Sequence, residues 1–346
     1  MSSKNTTIGI DLGDRRHAVC VLSAAGDIVA ETDLVNTREC LTTFAQQHRG
    51  ATFVMETGTH SPWISRLLES LGHEVIVANA RKLRAISTSH TKNDQEDARM
   101  LARLGRADPA LLSPVKHRSE SAQRALLQLK VREALVRSRV NQINSTRFLL
   151  KSLGVLVPAG RKAMTFTRKL RAQVDAPIAA LVEPLLGMID VLNARIKELD
   201  QQLEAMAGEQ YPITARLRQV PGVGPLTALG FVLTIESPAR FPHTRDVGAY
   251  LGLVPRRDQS GNTDKQLGIT KAGNTQLRCL LVNCAHYILG PFGPPSHLRE
   301  VGERIAARGG KSAKKRAVIA VSRKLAVTLL ALWKSGADYE ALRHAA

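Results

Sequence analysis

The chain of 346 residues is short of cysteine and short of negative charge. Its four cysteines, Cys20, Cys40, Cys279 and Cys284, have no paired zinc-ligand spacing. That excludes a zinc finger or ribbon and leaves reduced core thiols of a cytoplasmic protein as the expectation. Acids number 30 against 49 Lys plus Arg, a formal net charge of +19 at pH 7, so the expected partner is a polyanion. A membrane surface is the competing partner. Against it, no apolar stretch reads as long enough to span a bilayer, and no signal peptide precedes the first apolar run. A P-loop is lacking as well: Gly310-Lys311-Ser312 matches the end of that motif, but Ile305 stands where its first glycine belongs.

In so acid-poor a chain, the acids that end apolar runs stand out. Asp11 closes the strand-like run 6–11. Two further strand-like runs, 17–23 and 27–31, are joined by Ala24-Ala25-Gly26, which is hairpin-turn chemistry. A helical stretch near 38–48 follows, and then the run 52–56, whose last residue is Glu56. The segment 91–102 opens a helix, and Asp94 and Asp97, three apart, share one of its faces. Acids in a first turn also complement the helix dipole and cap free amides, and for these two that reading stays open. Strand, hairpin, strand, helix, acidic strand end and acidic helix is the layout of a ribonuclease H-like α/β sheet. Oxygen-only ligands suit Mg²⁺, which a two-metal site uses to activate one oxygen and stabilise another.

Positive charge is concentrated further on. Between Arg118 and Arg171 there are 13 Lys plus Arg and two acids, Glu120 and Glu133. Leu129, Val136, Val140, Ile143 and Leu150 give this stretch a narrow apolar helical seam, with Arg132, Arg137, Arg139, Arg147 and Lys151 on other faces. Such a face suits phosphates, with plain solvation the alternative. Val182, Leu185, Ile189, Leu192, Ile196, Leu199, Leu203 and Met206 alternate three and four, a coiled-coil seam. Its partner is a helix of the same chain or of a second copy, which makes it the candidate for a dimer or tetramer. Arg195, Lys197, Glu198, Asp200 and Glu204 read as its solvated flanks. Gly154 and Gly160 with Pro158 break the pattern, so the expected segments are 1–153, 154–208 and 209–346.

In the last segment, 217–228 looks like a helix-hairpin-helix element in which Gly222 and Gly224 leave backbone amides open to a phosphate. The polar loop 256–264 carries Ser260 beside Gly261 and is followed by the basic Lys265, Lys271 and Arg278. A serine there is ordinarily a turn residue. The stretch 309–316, with Lys314 and Lys315, reads as a mobile basic loop before an apolar helix over 317–333.

The strings Gly9-Ile10-Asp11, Met55-Glu56-Thr57-Gly58 and Lys92-Asn93-Asp94 with Asp97-Ala98 resemble the DEDD transposases of bacterial insertion sequences, the IS110 and IS1111 group. Tyr250-Leu251-Gly252-Leu253-Val254-Pro255, Ser260-Gly261, Gly268-Ile269-Thr270-Lys271 and Gly273-Asn274 with Leu277-Arg278 resemble that family's C-terminal transposase domain. The resemblance spans nearly the whole chain. It implies a RuvC-type domain binding Mg²⁺ through Asp11, Glu56, Asp94 and Asp97, and Ser260 as the nucleophile, activated by that site because no histidine sits in its loop. It further implies a guide RNA that pairs with donor and target DNA. Gln259 departs from the family, where many relatives carry a second serine. A site-specific invertase would share every motif, and a Holliday-junction nuclease would need the four acids but not Ser260. A sugar-kinase or actin-like ATPase is the rival of a different class, because residues 8–13 also resemble that fold's first phosphate loop.

Overall fold

The apolar runs of the N-terminal region form one sheet. A computed structural model describes residues 6–83, 93–157, 163–260 and 263–342; Thr91, Lys92, Pro158, Gly160, Gly261 and Asn262, singled out above, lie outside the described residues. The chain divides into two compact units, Met1–Ser119 and Glu120–Ala346. The boundary differs from the expected 1–153 and 154–208 segments, because the long basic helix belongs with the second unit.

In the first unit, β1 (Thr7–Asp11), β2 (Arg16–Leu22) and β3 (Ile28–Val35) pair antiparallel, and β4 (Thr52–Glu56) and β5 (Glu74–Ala78) extend the sheet parallel to β1, in the order β3-β2-β1-β4-β5. The β2–β3 turn closes as expected: Ser23 Oγ accepts from the amides of Ala25 and Gly26 at 3.1 and 3.2 Å, and Gly26 takes φ +103°, which favours glycine. β3 runs four residues past the expected 27–31. Alternation sorts the faces. Ile8, Ile10, Val19, Val21, Phe53 and Met55 point to one side, packing with Leu41 and Phe44 of α1 (Arg38–Gln47) and Ile64 and Leu68 of α2 (Ser61–Ser70). Ala18, Cys20, Val54, Ile76 and Ala78 point to the other. The short α3 (Ala80–Leu83) follows β5, and α4 (Asp94–Ala107) covers this second face through Ala98, Leu101 and Ala102.

Two glycines set how close α4 comes. A Cβ at Gly9 would collide with the Ala98 carbonyl oxygen and lie 2.6 Å from the Ala102 nitrogen; one at Gly105 would collide with Val54. Ion pairing of Arg99 with Glu31 of β3, and a hydrogen bond from Arg106 to the Ala24 carbonyl, hold the helix across the hairpin.

The second unit is mainly helical. α5 (Glu120–Lys151) and α7 (Ala176–Gln210) pack antiparallel, with α6 (Phe166–Gln173) at one end, where Ile143, Leu150, Phe166, Leu170, Val182 and Ile189 form a core. At the other end Leu126, Leu129 and Leu203 meet Leu229 and Leu233 of α9 (Pro225–Ile235), which follows the short α8 (Ile213–Leu217). A larger core joins α9 to α11 (Thr275–Leu289), α12 (His297–Ala306) and α13 (Ala313–Ser335), with α10 (Asp246–Tyr250) leading into a hairpin of β6 (Pro255–Ser260) and β7 (Thr263–Ile269). The α7 seam is thus buried within the chain, against α5. By length and composition α7 could cross a membrane, contrary to the sequence expectation, but one side of it, with Val182, Leu186, Ile189 and Leu203, is packed against the rest of the unit. Cys20 and Cys284 are buried, whereas Cys279 is exposed and Cys40 half-buried, so only two of the four are core thiols.

Gly9→Ala is expected to destabilise the protein by about 1–3 kcal/mol, because backbone of α4 rather than a flexible side chain must give way. Urea unfolding measures this; a loss below about 0.5 kcal/mol would show that α4 retreats freely.

Candidate functional site

The acids of the first unit are collected by register. Ile10 of β1 lies beside Met55 of β4 in parallel pairing, so Asp11 and Glu56, the next residues, stand abreast at the ends of adjacent strands. Ile10 and Met55 enter the α1–α2 core, so by alternation Asp11 and Glu56 share the opposite face, the one α4 covers. Both are half-buried. Asp94 and Asp97 occupy the first turn of α4, one turn ahead of the Ala98–Ala102 contact with Gly9. The capping that these acids could have supplied is performed by Asn93, whose side chain accepts from the Gln95 amide at 3.1 Å.

A fifth carboxylate, missed in the sequence, joins the row. Asp11 pairs with Ala18 of β2 and Ala18 with Asp33 of β3. Asp33, Arg16, Ala18, Asn93, Asp94 and Gln95 line a cleft of about 560 Å³ at this corner. The loops after β1 and β4 are tied together here: His60 Nε2 lies 3.0 Å from Asp14 Oδ1, and Trp63 Nε1 donates to His60 Nδ1 at 3.3 Å. The Trp N–H can only donate, so Nδ1 accepts and the proton of a neutral His60 sits on Nε2, facing Asp14. Among the described residues, no three His, Cys, Asp or Glu side chains are gathered tightly enough to hold a metal ion. The donor chemistry nonetheless fits Mg²⁺, which keeps several waters and binds through one or two carboxylates with substrate phosphates completing its shell.

In the second unit Ser260 is the last residue of β6, paired with Thr263 across the hairpin. The root of this hairpin is where the sequence reading is most altered. Arg278, expected to contact nucleic acid, is only 7% exposed. Its Nη1 donates to the Leu251 carbonyl at 3.0 Å and the Ala272 carbonyl at 2.6 Å, binding together the segments that enter β6 and leave β7. Thr270 N–H to Val254 O (2.9 Å) and Lys271 N–H to Gly252 O (3.2 Å) close the same root. Lys271 is exposed, in the left-handed region at φ +54°.

Three arginines of α5, Arg132, Arg139 and Arg147, also turn inward, whereas Arg124 and Arg137 are exposed. Arg132 pairs with Asp200 of α7, and Arg139 Nη1 donates to Asn193 Oδ1 at 3.0 Å. Burial, and then neighbouring Arg132, lower the pKa of the Arg139 guanidinium. Arg147 lies over the Phe166 ring, 5.3 Å from its centroid. Asp200, read as a solvated flank, is 42% exposed and also pairs across the helices, and Val140, assigned to the seam, is 44% exposed. The signal was a spacing of seven: Ala125, Arg132, Arg139 and Thr146 form one heptad row facing α7. Gly222 takes φ +83° and a Cβ there would lie 2.9 Å from Tyr287 Cδ1, so this glycine serves packing on α11. Gly224 precedes α9 with open space where its Cβ would be. Lys314 and Lys315 are exposed in the first turn of α13, not in a loop.

A family model described as "Transposase", of the DEDD type, matches residues 8–154, and one described as "Transposase IS116/IS110/IS902 family" matches residues 214–297. The chain is 27% identical over 289 residues to the transposase for insertion sequence element IS1111A of Coxiella burnetii, covering 82% of this chain and 77% of that one. It is 28% identical over 283 residues to the transposase for element IS1328 of Yersinia enterocolitica, covering 81% and 83%. It is also similar to a pilin gene-inverting protein of Moraxella bovis, 25% identical over 355 residues and 98% and 99% of the two chains.

Arg278→Met should cost about 1.5–3 kcal/mol in urea unfolding, since two carbonyls lose a charged donor, whereas Lys271→Gln should stay within about 0.5 kcal/mol. Equal effects would contradict the clamp.

Proposed function

Because the chain belongs to the IS116/IS110/IS902 family of transposases, enzymes that cleave and rejoin DNA, we propose that it recombines an insertion sequence with its target through a phosphoserine intermediate at Ser260. The observation that carries this reading is the alignment of Asp11 and Glu56 at adjacent strand ends on the face where α4 brings Asp94 and Asp97. The strand order β3-β2-β1-β4-β5 supports a ribonuclease H-like, RuvC-type first unit. Mg²⁺ held by those carboxylates, when bound, would lower the pKa of a coordinated hydroxyl and screen phosphate charge.

The residues of the chain divide the work. Ser260 Oγ attacks the scissile phosphorus as its proton leaves to a base. The P–O bond to the departing strand breaks, and that strand's hydroxyl takes a proton. Phosphoester energy is retained in the link to Ser260, so the hydroxyl of another strand reverses the step and joins to the DNA end. His60, with Asp14 and Trp63, fixes the loop that follows Glu56. Lys271, Lys314 and Lys315 screen phosphates near the second unit. A guide RNA pairing with donor and target DNA belongs to this reading on resemblance, and the net +19 accommodates either nucleic acid. Assembly of several copies through the α5–α7 hairpin is supported by apolar side chains it leaves outside: Leu181, Met188 and Val191 are 73%, 52% and 57% exposed. A second reading, site-specific inversion, is favoured by the pilin gene-inverting relative that aligns over almost its full length; the chemistry is the same and the DNA arrangement differs.

A denaturing gel with labelled element-end DNA and Mg²⁺ should show a protein–DNA adduct that Ser260→Ala abolishes. Asp11→Asn and excess chelator should lower its yield by at least a hundredfold while DNA binding persists. Cleavage by Ser260→Ala that leaves free ends would assign the attack to water and sink the phosphoserine. Leu181→Glu with Met188→Glu should reduce the mass found by light scattering; an unchanged oligomer mass would exclude assembly through this surface.

A further inference from the structure

A large cavity of the second unit plays no part in the chemistry above. It holds about 1510 Å³, more than the roughly 300–1,000 Å³ of a small-molecule pocket. Its walls are α12, α13, the root of the serine hairpin at Pro255 and Leu267, and the C-terminal segment around Tyr339. Val301, Ile305, Ile319 and Val327 make an apolar floor. Six cations line it, Arg245, Arg308, Lys315, Arg316, Arg323 and Lys324, against two acids, Asp338 and Glu340.

The placement of these cations is electrostatically unfavourable unless an anion joins them. The first turn of α13 carries Lys314, Lys315 and Arg316 and no acid, although the positive end of a helix favours acids. Among the described residues, no salt bridge includes Arg308, Lys315, Arg316, Arg323 or Lys324. Gly248 makes room for Arg323, whose Cγ lies 3.0 Å from where a Cβ would be. Lys324 Nζ is 2.6 Å from His297 Nε2, with the Glu300 carboxylate 3.6 Å from the other ring nitrogen. The ammonium thus donates to a neutral imidazole and keeps two N–H groups for another acceptor. Burial, and then Arg304, lower the Lys324 pKa, a cost that an anion would offset. The C-terminal segment is pinned along one side by His297 N–H to Ala341 O (2.7 Å) and Tyr339 N–H to Gln219 Oε1 (2.8 Å).

We propose that this groove binds a nucleic-acid strand, its phosphates along Arg316, Arg323 and Lys324 and its unstacked bases on the apolar floor, and that the strand runs toward the root of the Ser260 hairpin. Cationic wall and apolar floor together match a single strand, which offers phosphate and base faces at once. An acidic peptide would use the cations but has no comparable flat apolar groups. The identity of the strand as recombination substrate or guide rests on the function proposed above; binding in the groove does not.

The test uses the full chain with labelled single-stranded DNA and RNA oligonucleotides, measuring affinity over a range of salt. Arg316→Gln with Arg323→Gln should make log K fall less steeply with log salt, the slope shrinking by about two, one per lost phosphate contact. Lys324→Gln should shrink it by about one, and Arg316→Lys with Arg323→Lys should restore it. Loss for DNA alone or RNA alone assigns the strand to that polymer. An unchanged slope in variants with wild-type melting curves, or displacement by polyglutamate as effective as unlabelled oligonucleotide, overturns the groove and leaves the recombinase reading standing. A wild-type chain that binds neither polymer overturns both.

Discussion

The missing side chain at Gly9 sets the height of α4 over the sheet. Only a bare backbone lets the Ala98 carbonyl and Ala102 amide settle on β1, and the small residues facing it, Ala18, Cys20, Ala98 and Ala102, belong to the same close contact. The polar contacts that α4 makes at that corner follow from this one. Arg99 can pair with Glu31, Arg106 can reach the hairpin turn, and the first turn of α4 comes to the corner where Ala18 and Asp33 continue the row of Asp11. A helix held farther out would take Asp94 and Gln95 away from the cleft they share with Ala18 and Asp33.

Much of this was legible from alternation. Runs of apolar residues ending in Asp11 and Glu56 marked the ends of both strands, with β1 beginning one residue later than read, because a strand buried on both faces must be apolar until it reaches solvent. Asp33 was not legible: β3 is almost wholly exposed, so its composition carries no burial signal, and its alignment with Asp11 depends on how the β2–β3 turn sets the register. Helix α4 was legible in type but not in cap, since Asn93 and Asp94 are both good capping residues and only the backbone decides between them.

The long helices teach the opposite lesson. Counting apolar residues picked out five buried positions of α7, Val182, Ile189, Leu192, Ile196 and Leu203, while missing Leu186, and three of α5, Leu129, Ile143 and Leu150; it missed that two of the α5 positions facing α7 are arginines. Arg132 and Arg139 extend their aliphatic stems across the interface and end on Asp200 and Asn193. The same side chains that raise the local charge are thus unavailable at the surface, so charge counted along the sequence overstates what a phosphate would meet on α5. On α13 the reverse holds: a cluster assigned to a loop lies on a rigid helix, where its spacing is fixed.

The serine hairpin has a short root and a long reach. One guanidinium, that of Arg278, grips both segments where the hairpin leaves the helical core, and Gly252 and Gly273 press against the facing backbone so closely that neither could carry a side chain. Six residues of strand extend roughly 20 Å from that root at about 3.3 Å each. Tilting such an arm by about 5° would carry its tip nearly 2 Å, and about 1 Å of misplacement is enough to slow a reaction about a hundredfold. In the mechanism proposed above, the aim of Ser260 would be set by the tightness of a joint at the far end of the strand, as a pointer is only as steady as its pivot.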